Sequence, residues 1–101
     1  MNSRVDFSRV NAIALRNSDA VLRGLLPDGK RDGQEWVARN PHRNDRHLGS
    51  FKVNLETGKW GDFAAGDRGG DLVSLAAFVA RTSQRDACIR LAESLGVNPF
   101  E

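Results

Sequence analysis

The spacing of the apolar residues changes twice along the chain, and no other sequence feature constrains the fold as strongly. Over residues 3–26 the apolar residues recur every three or four positions, which is typical of helix. Over residues 34–63 the spacing becomes two, which indicates strands, and after Gly70 the helical spacing returns. This order of helix, strands and helix predicts an α+β fold.

Three helical segments are predicted from this pattern. The N-terminal segment is interrupted at residues 17–19, so one bent helix and two consecutive helices both fit the sequence. Residues 71–81 are apolar on most sides, which predicts the central helix of the core. Ser83 and Asp86 have the spacing of a capping box and predict the start of a last helix.

Three antiparallel strands are predicted between the helices, over residues 35–39, 50–55 and 59–63. The last two are joined by residues 56–58, a length that suits a three-residue hairpin loop with Gly58 in the left-handed conformation. The sequence therefore predicts a small three-stranded sheet flanked by N-terminal and C-terminal helices.

The register of this hairpin decides which side chains face the core. With the three-residue loop, Phe51 and Val53 share an apolar face with Phe63, and Lys52 and Trp60 lie on the opposite face. A two-residue turn shifts the pairing by one residue and brings Trp60 to the side of Phe51 and Val53. The three-residue loop is the preferred prediction, and the alternative register stays open.

Length and composition narrow the class of protein. A chain of 101 residues has room for one core, so we expect a single domain over residues 1–101, with residues 3–26 as a helical extension. No apolar run approaches the ~20 residues of a membrane span, and the first residues lack the pattern of a secretory signal. We therefore expect a cytoplasmic protein with no membrane contact.

The single cysteine, Cys88, has no second cysteine with which to form an internal disulfide or a cysteine-based zinc site. It lies in the apolar stripe of the last predicted helix, so we expect a buried packing residue rather than a nucleophile.

Several short motifs follow one another along residues 21–97. They are Asn40-Pro41, Ser50-Phe51-Lys52-Val53, Trp60-Gly61-Asp62-Phe63, Gly69-Gly70-Asp71 and Leu91-Ala92-Glu93-Ser94-Leu95-Gly96. This order resembles the Cys-His-Cys-Cys zinc ribbon at the N-terminus of bacterial, phage and plasmid DNA primases. It looks closest to the version in the primase-helicase proteins of plasmids, prophages and integrating elements.

The zinc ligands of that family do not carry over to this chain. Its first Cys and its His correspond to Asn40 and about Arg43, and its Cys pair corresponds to Asp62 and Ala65. Because Arg and Ala cannot ligate zinc, we expect a metal-free domain without any cofactor. We expect a polar network of Asn40, Arg43 and Asp62 to replace the metal, with Arg43 paired to Asp62 and Lys52 competing for the same carboxylate.

Two other features have ordinary explanations. His42, His47 and Asp45 are too scattered for a metal site, so we expect solvated loop histidines. The glycine-rich residues 66–70 precede a helix and have the composition of a phosphate cradle, but Asp71 or Asp67 is expected to cap the helix there instead.

The resemblance implies a non-catalytic accessory domain that binds nucleic acid during replication of DNA or of a mobile element. No catalytic constellation is recognisable, so we expect no enzyme activity. The predicted nucleic-acid-binding residues are Lys52, Trp60, Lys59, Arg39, Arg43 and Arg46. In this hypothesis a base stacks on Trp60 while the cations contact phosphates. A core role for Trp60 is almost equally favoured, and Trp36 is expected in the core.

The expected partners are single-stranded DNA and a separately encoded primase or helicase. The alternative hypothesis is a protein-interaction or inhibitory module that docks on a replication protein without binding DNA itself.

Overall fold

The computed structural model describes residues 4–43 and 49–101. Within these residues the chain forms four helices and one antiparallel sheet of five strands, in which each strand pairs with its neighbour in the sequence. The elements are α1 (Phe7–Arg16), α2 (Ser18–Leu25), β1 (Lys30–Asp32), β2 (Glu35–Ala38), β3 (Phe51–Asn54), β4 (Trp60–Asp62), β5 (Arg68–Gly69), α3 (Leu72–Ala80) and α4 (Gln84–Leu95). The predicted α+β class is confirmed, and the sheet has two strands more than predicted.

The N-terminal segment consists of two consecutive helices that meet at Asn17. Asp6 caps α1 by accepting a hydrogen bond from the Arg9 amide at 3.0 Å. The Asn17 side chain donates back to the Ile13 carbonyl at 2.8 Å, which satisfies an acceptor at the end of α1. No helix in the described ranges has the length and apolar character needed to cross a membrane.

The helices α3 and α4 begin at the caps that the sequence predicts. Asp71 accepts a hydrogen bond from the Ser74 amide at 2.8 Å, and Ser83 accepts one from the Asp86 amide at 3.0 Å. Most of α3 is buried, so it is the central helix as expected. Asp71 also occupies an amide donor that a phosphate bound at this helix start would need.

The strands β1 and β5 were not predicted because neither has an alternating apolar pattern. All residues of β1 are exposed and charged, and β5 is a two-residue strand in the glycine-rich segment. Backbone pairing with β2 and β4 defines them, and Gly69 of β5 lies opposite Trp60. A Cβ at Gly69 would overlap the Trp60 indole, so only glycine fits this close approach.

The preferred register of the β3–β4 hairpin is wrong by one residue. Val53 lies opposite Trp60 and Phe51 opposite Asp62, with residues 55–58 forming the loop. Gly58 has a φ of 80°, the left-handed conformation that was predicted. A slip of one residue exchanges the two faces of a strand. The faces therefore match the alternative register, although the loop is longer than the two-residue turn of that alternative.

Trp60 consequently belongs to the core. It is 7% exposed, its ring stacks on Phe51 with centroids 5.7 Å apart, and it contacts Phe78 at 5.0 Å. Its indole Nε1 donates to the Ser74 hydroxyl at 3.0 Å, so β4 is tied directly to α3. Phe63, expected in the core, is 84% exposed on the other side of the sheet.

Trp36 and Cys88 are buried as expected. The indole of Trp36 donates to the Leu26 carbonyl at 3.1 Å, which satisfies its buried N–H. Burial raises the pKa of the Cys88 thiol, and the negative charges of Asp6 and Asp71 raise it further. A thiol held protonated in this way is a packing residue and not a nucleophile.

Truncating Trp60 should destabilise the fold severely. We expect Trp60→Ala to lower the free energy of unfolding by about 3–5 kcal/mol, because it removes a buried ring that contacts both β3 and α3. Urea denaturation followed by circular dichroism measures this change, with Trp60→Phe as the milder control. An unchanged unfolding midpoint for Trp60→Ala would contradict the core position.

Candidate nucleic-acid interface

One side of the sheet is turned away from α3, and we call it the outer sheet face. Because Phe51 and Val53 point into the core, Lys52 and Asn54 point the other way. A groove of about 500 Å³ lies on this face. The residues of the outer sheet face that line it are Glu35, Lys52, Asn54, Lys59, Gly61, Phe63 and Arg68.

Three cations lie in a row across the strands of this face, namely Lys30, Lys52 and Arg68. The cross-strand pairs align Lys30 with Val37, Val37 with Lys52, Lys52 with Gly61, and Gly61 with Arg68. Since neighbouring strands are about 4.8 Å apart, successive cations of the row lie about 10 Å apart at their backbones. Gly61 has no side chain between Lys52 and Arg68, so the floor of the groove is open there.

Phe63 provides an aromatic ring beside these cations. The Nζ of Lys52 lies 5.9 Å from the Phe63 ring centroid, and the Phe63 amide donates to the Ser50 carbonyl at 3.1 Å. A single exposed apolar side chain is ordinary on a protein surface. An exposed ring within a groove that also contains several cations is a more specific arrangement, because it combines a stacking surface with phosphate contacts.

Lys52 does not compete for Asp62, contrary to the sequence-based expectation, because the two side chains lie on opposite faces of the sheet. Its Nζ instead lies 4.0 Å from Glu35 Oε1, and both side chains are well exposed. Exposed ion pairs of this kind contribute little free energy. Lys52 therefore keeps most of its capacity to attract an external anion.

The structure brings together only part of the predicted binding set. Lys52 and Lys59 line the groove with exposed side chains, and Trp60 also borders it, but the Trp60 ring is buried and packs against α3. Arg39 and Arg43 line a separate cleft of about 260 Å³ beside Pro27 and Asp28. Arg46, like His47 and Asp45, lies outside the described residues.

Phe63 and Arg68 are the groove residues that the sequence analysis missed. Phe63 was assigned to the core by the preferred hairpin register, and the alternative register would have placed it outside. Arg68 lies in a glycine-rich segment whose short strand has no periodic signal.

Behind this face, the buried carboxylate of Asp62 joins the loop after β2 to the turn after β4. Its Oδ2 accepts from Asn40 Nδ2 at 2.7 Å and lies 3.3 Å from Arg43 Nη1. Its Oδ1 accepts from the amides of Ala64 and Ala65 at 2.8 and 3.2 Å. The predicted network of Asn40, Arg43 and Asp62 is therefore confirmed, and Ala65 joins it through its backbone.

The environment of Asp62 keeps its carboxyl group ionised. Burial alone would raise the pKa, but the hydrogen bonds from Asn40 and the two backbone amides, together with the charge of Arg43, outweigh burial and lower the pKa below the usual value of an aspartate. The carboxylate is thus a buried anion whose lone pairs are occupied by donors.

His42 is not a solvated loop residue, and this expectation is wrong. Its amide donates to Asn40 Oδ1 at 2.8 Å, and its ring packs edge-on against Phe78 with centroids 4.8 Å apart. The ring nitrogens bond to the Phe78 carbonyl and to Arg81 Nε, the latter at 3.2 Å. The loop after β2 is therefore fixed to the end of α3.

Within residues 4–43 and 49–101, no three His, Cys, Asp or Glu side chains lie close enough together to hold a metal ion.

Comparison with known proteins identifies no matching family model, and no curated protein or solved structure matches the chain.

Asp62→Asn should destabilise the protein in a pH-dependent way. At pH 7 we expect a loss of about 2–3 kcal/mol, because an amide would turn a donor toward Asn40 and remove the charge facing Arg43. The folded-state pKa lies below the unfolded value of ~3.9, so the carboxylate stabilises the fold above that pH. This stabilisation is lost as the pH falls through the folded-state pKa.

The difference in unfolding free energy between the parent and Asp62→Asn should therefore narrow as the pH is lowered below about 4. Chemical denaturation at a series of pH values measures it, and Asp67→Asn, which changes a carboxylate 3.4 Å from Asn40, is the matched control with a smaller expected effect. A difference that stays constant from pH 7 to pH 3 would contradict this role of Asp62.

Proposed function

We propose that the protein is a non-catalytic accessory domain that binds single-stranded DNA on its outer sheet face during replication of DNA or of a mobile element. The observation that carries the proposal is the exposed Phe63 ring beside Lys52, in a groove that also contains Lys59 and Arg68. Bases of a single strand stack on exposed rings, and the cations attract the phosphates between them.

The charged side chains of the outer sheet face favour a nucleic-acid ligand. Its outward-pointing cations are Lys30, Lys52, Lys59 and Arg68, and its outward-pointing acids are Asp32 and Glu35. Asp62 and Asp67 also line the groove, but their carboxylates face Asn40 on the inner side of the sheet, at 2.7 and 3.4 Å from its Nδ2. A phosphate on the outer face therefore meets more cations than acids. Because a base inside a duplex is stacked on its neighbours, the Phe63 ring favours single-stranded over double-stranded DNA.

The Asp62 network supports the resemblance to the zinc-binding domain of primases. The four positions that correspond to that family's ligands, Asn40, Arg43, Asp62 and Ala65, converge on the Asp62 carboxylate. A carboxylate that accepts two backbone amides in a tight turn, together with two side-chain donors, can hold two loops together as a structural metal does. This is the basis for proposing a separately encoded primase or helicase as the protein partner.

The oligonucleotide test uses two exposed phenylalanines as a matched pair. Phe63→Ala should weaken binding to a short single-stranded oligonucleotide by about 1–3 kcal/mol without lowering stability. Phe7, on α1, is also exposed, and Phe7→Ala should leave binding unchanged. Fluorescence anisotropy with a labelled oligonucleotide measures the affinity.

Lys52→Ala should also reduce the slope of log affinity against log salt by about 0.7, because one phosphate contact is lost from a single strand. Arg90→Ala, on α4, is the control cation and should leave the slope unchanged. If the parent binds no oligonucleotide at low salt, or if Phe63→Ala binds as well as the parent, the protein-interaction alternative replaces this proposal.

The relationship to a zinc site can be tested by restoring the ligands. We expect the purified parent to contain no stoichiometric zinc. The combined variant Asn40→Cys, Arg43→His, Asp62→Cys and Ala65→Cys should bind about one zinc ion per chain, because four soft or imidazole donors then surround one point. Metal analysis and the absorption spectrum of the cobalt form measure this.

The control for this experiment is the same variant with Ala65 retained, which should bind zinc much more weakly because one ligand is missing. A folded fourfold variant that binds no more zinc than the parent would contradict the correspondence with the primase ligand positions, and so would stoichiometric zinc in the parent.

A further inference from the structure

A second groove lies between α2, α3 and α4, away from the outer sheet face. It has a volume of about 380 Å³. On α3, Ser74 and Phe78 contact Trp60, whereas Ala76 and Ala80 line this helical groove. Because two positions along a helix differ by about 200° in direction, the groove lies on the opposite side of α3 from the sheet.

The lining of the helical groove is apolar apart from Ser94 and Arg90, and it combines large and small side chains. The large ones are Val21 and Leu25 of α2 and Leu91 and Leu95 of α4, and the small ones include Ala76, Ala80 and Ala87. Removing one leucine from a protein core leaves a cavity of ~150 Å³, so the helical groove has room for about two large aliphatic side chains.

Gly24 of α2 has no structural reason within this chain to be glycine. It lies in the last turn of α2, its φ is outside the left-handed range, and a Cβ built there meets no atom within 4 Å. Alanine would be a better helix former by up to about 1 kcal/mol. Gly24 lines the helical groove, where its missing side chain lets another backbone approach closely.

The single charge that lines the helical groove, among the described residues, is the cation Arg90. It is exposed, and no carboxylate in residues 4–43 or 49–101 lies within ion-pair distance of it. An occupant of the groove therefore gains an ion pair if it carries an acidic residue beside its apolar side chains.

We propose that the helical groove binds an amphipathic α-helix of a partner protein, with large aliphatic side chains in the groove and a carboxylate facing Arg90. A helix fits because Gly24 permits close packing of helical backbones and because the walls are themselves helices. The outer sheet face stays free, so the partner and single-stranded DNA can bind at the same time.

The probes are two synthetic 18-residue helical peptides with leucines at the same i, i+3, i+4 and i+7 positions. One carries glutamates beside the leucines and the other carries lysines. Fluorescence anisotropy of each labelled peptide with the full chain should show the glutamate peptide binding about three- to tenfold more tightly, because an exposed ion pair and the matching repulsion each change the affinity by only a few-fold. Arg90→Glu should abolish or reverse this preference.

A Cβ at Gly24 meets no atom within 4 Å, so Gly24→Leu adds its side chain to the groove and should weaken binding of the glutamate peptide at least tenfold, whereas Lys52→Ala should leave it unchanged. Oligonucleotide binding should be unaffected by Gly24→Leu, so failure of this proposal is distinguishable from failure of the DNA-binding proposal. Gly24→Ala should raise the melting temperature by about 3–6 °C, because helix propensity improves without any internal cost.

Three results would overturn the inference. The first is that the glutamate peptide does not bind, or that it binds equally well to Gly24→Leu. The second is that Gly24→Ala lowers the melting temperature, which would show that the glycine serves this chain's own packing. The third is that sedimentation finds a dimeric parent and a monomeric Gly24→Leu, which would make a second copy the occupant.

Discussion

The hydrogen bonds that converge on the buried Asp62 carboxylate determine the arrangement of the outer sheet face. They join the loop after β2, through Asn40 and Arg43, to the turn after β4, through the amides of Ala64 and Ala65. A buried anion is costly unless donors surround it, so this carboxylate stabilises only an arrangement that brings all of them together. Since Asp62 is held inward, the next residue, Phe63, must point outward.

Trp60 fixes the other end of the same short strand. Its ring forms a cluster with Phe51 and Phe78, which also contact each other. Its indole donates to Ser74, and Gly69 leaves room for it on β5. The strand β4 is thus anchored inward at both ends, by a ring and by a carboxylate. Two residues face outward instead: Gly61, between the two anchors, and Phe63, directly after Asp62. Both are free to contact a ligand.

The molecule has two surfaces of different chemistry on opposite sides of α3. The outer sheet face combines cations with one exposed ring, and the helical groove is apolar with a single arginine. Under the two proposals, single-stranded DNA binds to the first surface and a helix of a partner protein to the second. Together the two proposals describe a domain that brings a DNA strand to a partner protein.

The fold was predictable from the sequence where periodicity and capping agree. Residue spacing and capping preferences predict the central helix, its cap Asp71, the cap Ser83 and the burial of Trp36. The motifs that resemble those of primases predict the contact between Arg43 and Asp62. The hairpin register was not predictable from loop chemistry, because Gly58 adopts the same left-handed conformation in loops of different length.

The error in register moved two aromatic residues to the wrong faces. It assigned Phe63 to the core and Trp60 to the outer sheet face, whereas the structure has the reverse. The ring predicted to stack on a base was therefore the wrong one. The strands β1 and β5 and the position of His42 depend on backbone pairing and on contacts with α3, and neither leaves a periodic signal in the sequence.

Mapping the contacts of bound DNA by NMR tests the central claim most directly. The ¹⁵N-labelled protein is titrated at low salt with an oligothymidylate, and the amide chemical shifts are followed. We predict the largest shifts at Lys52, Gly61, Phe63 and Arg68, with Gly24 and Arg90 unchanged. Largest shifts at residues of the helical groove, or no shifts at any DNA concentration, would contradict the account.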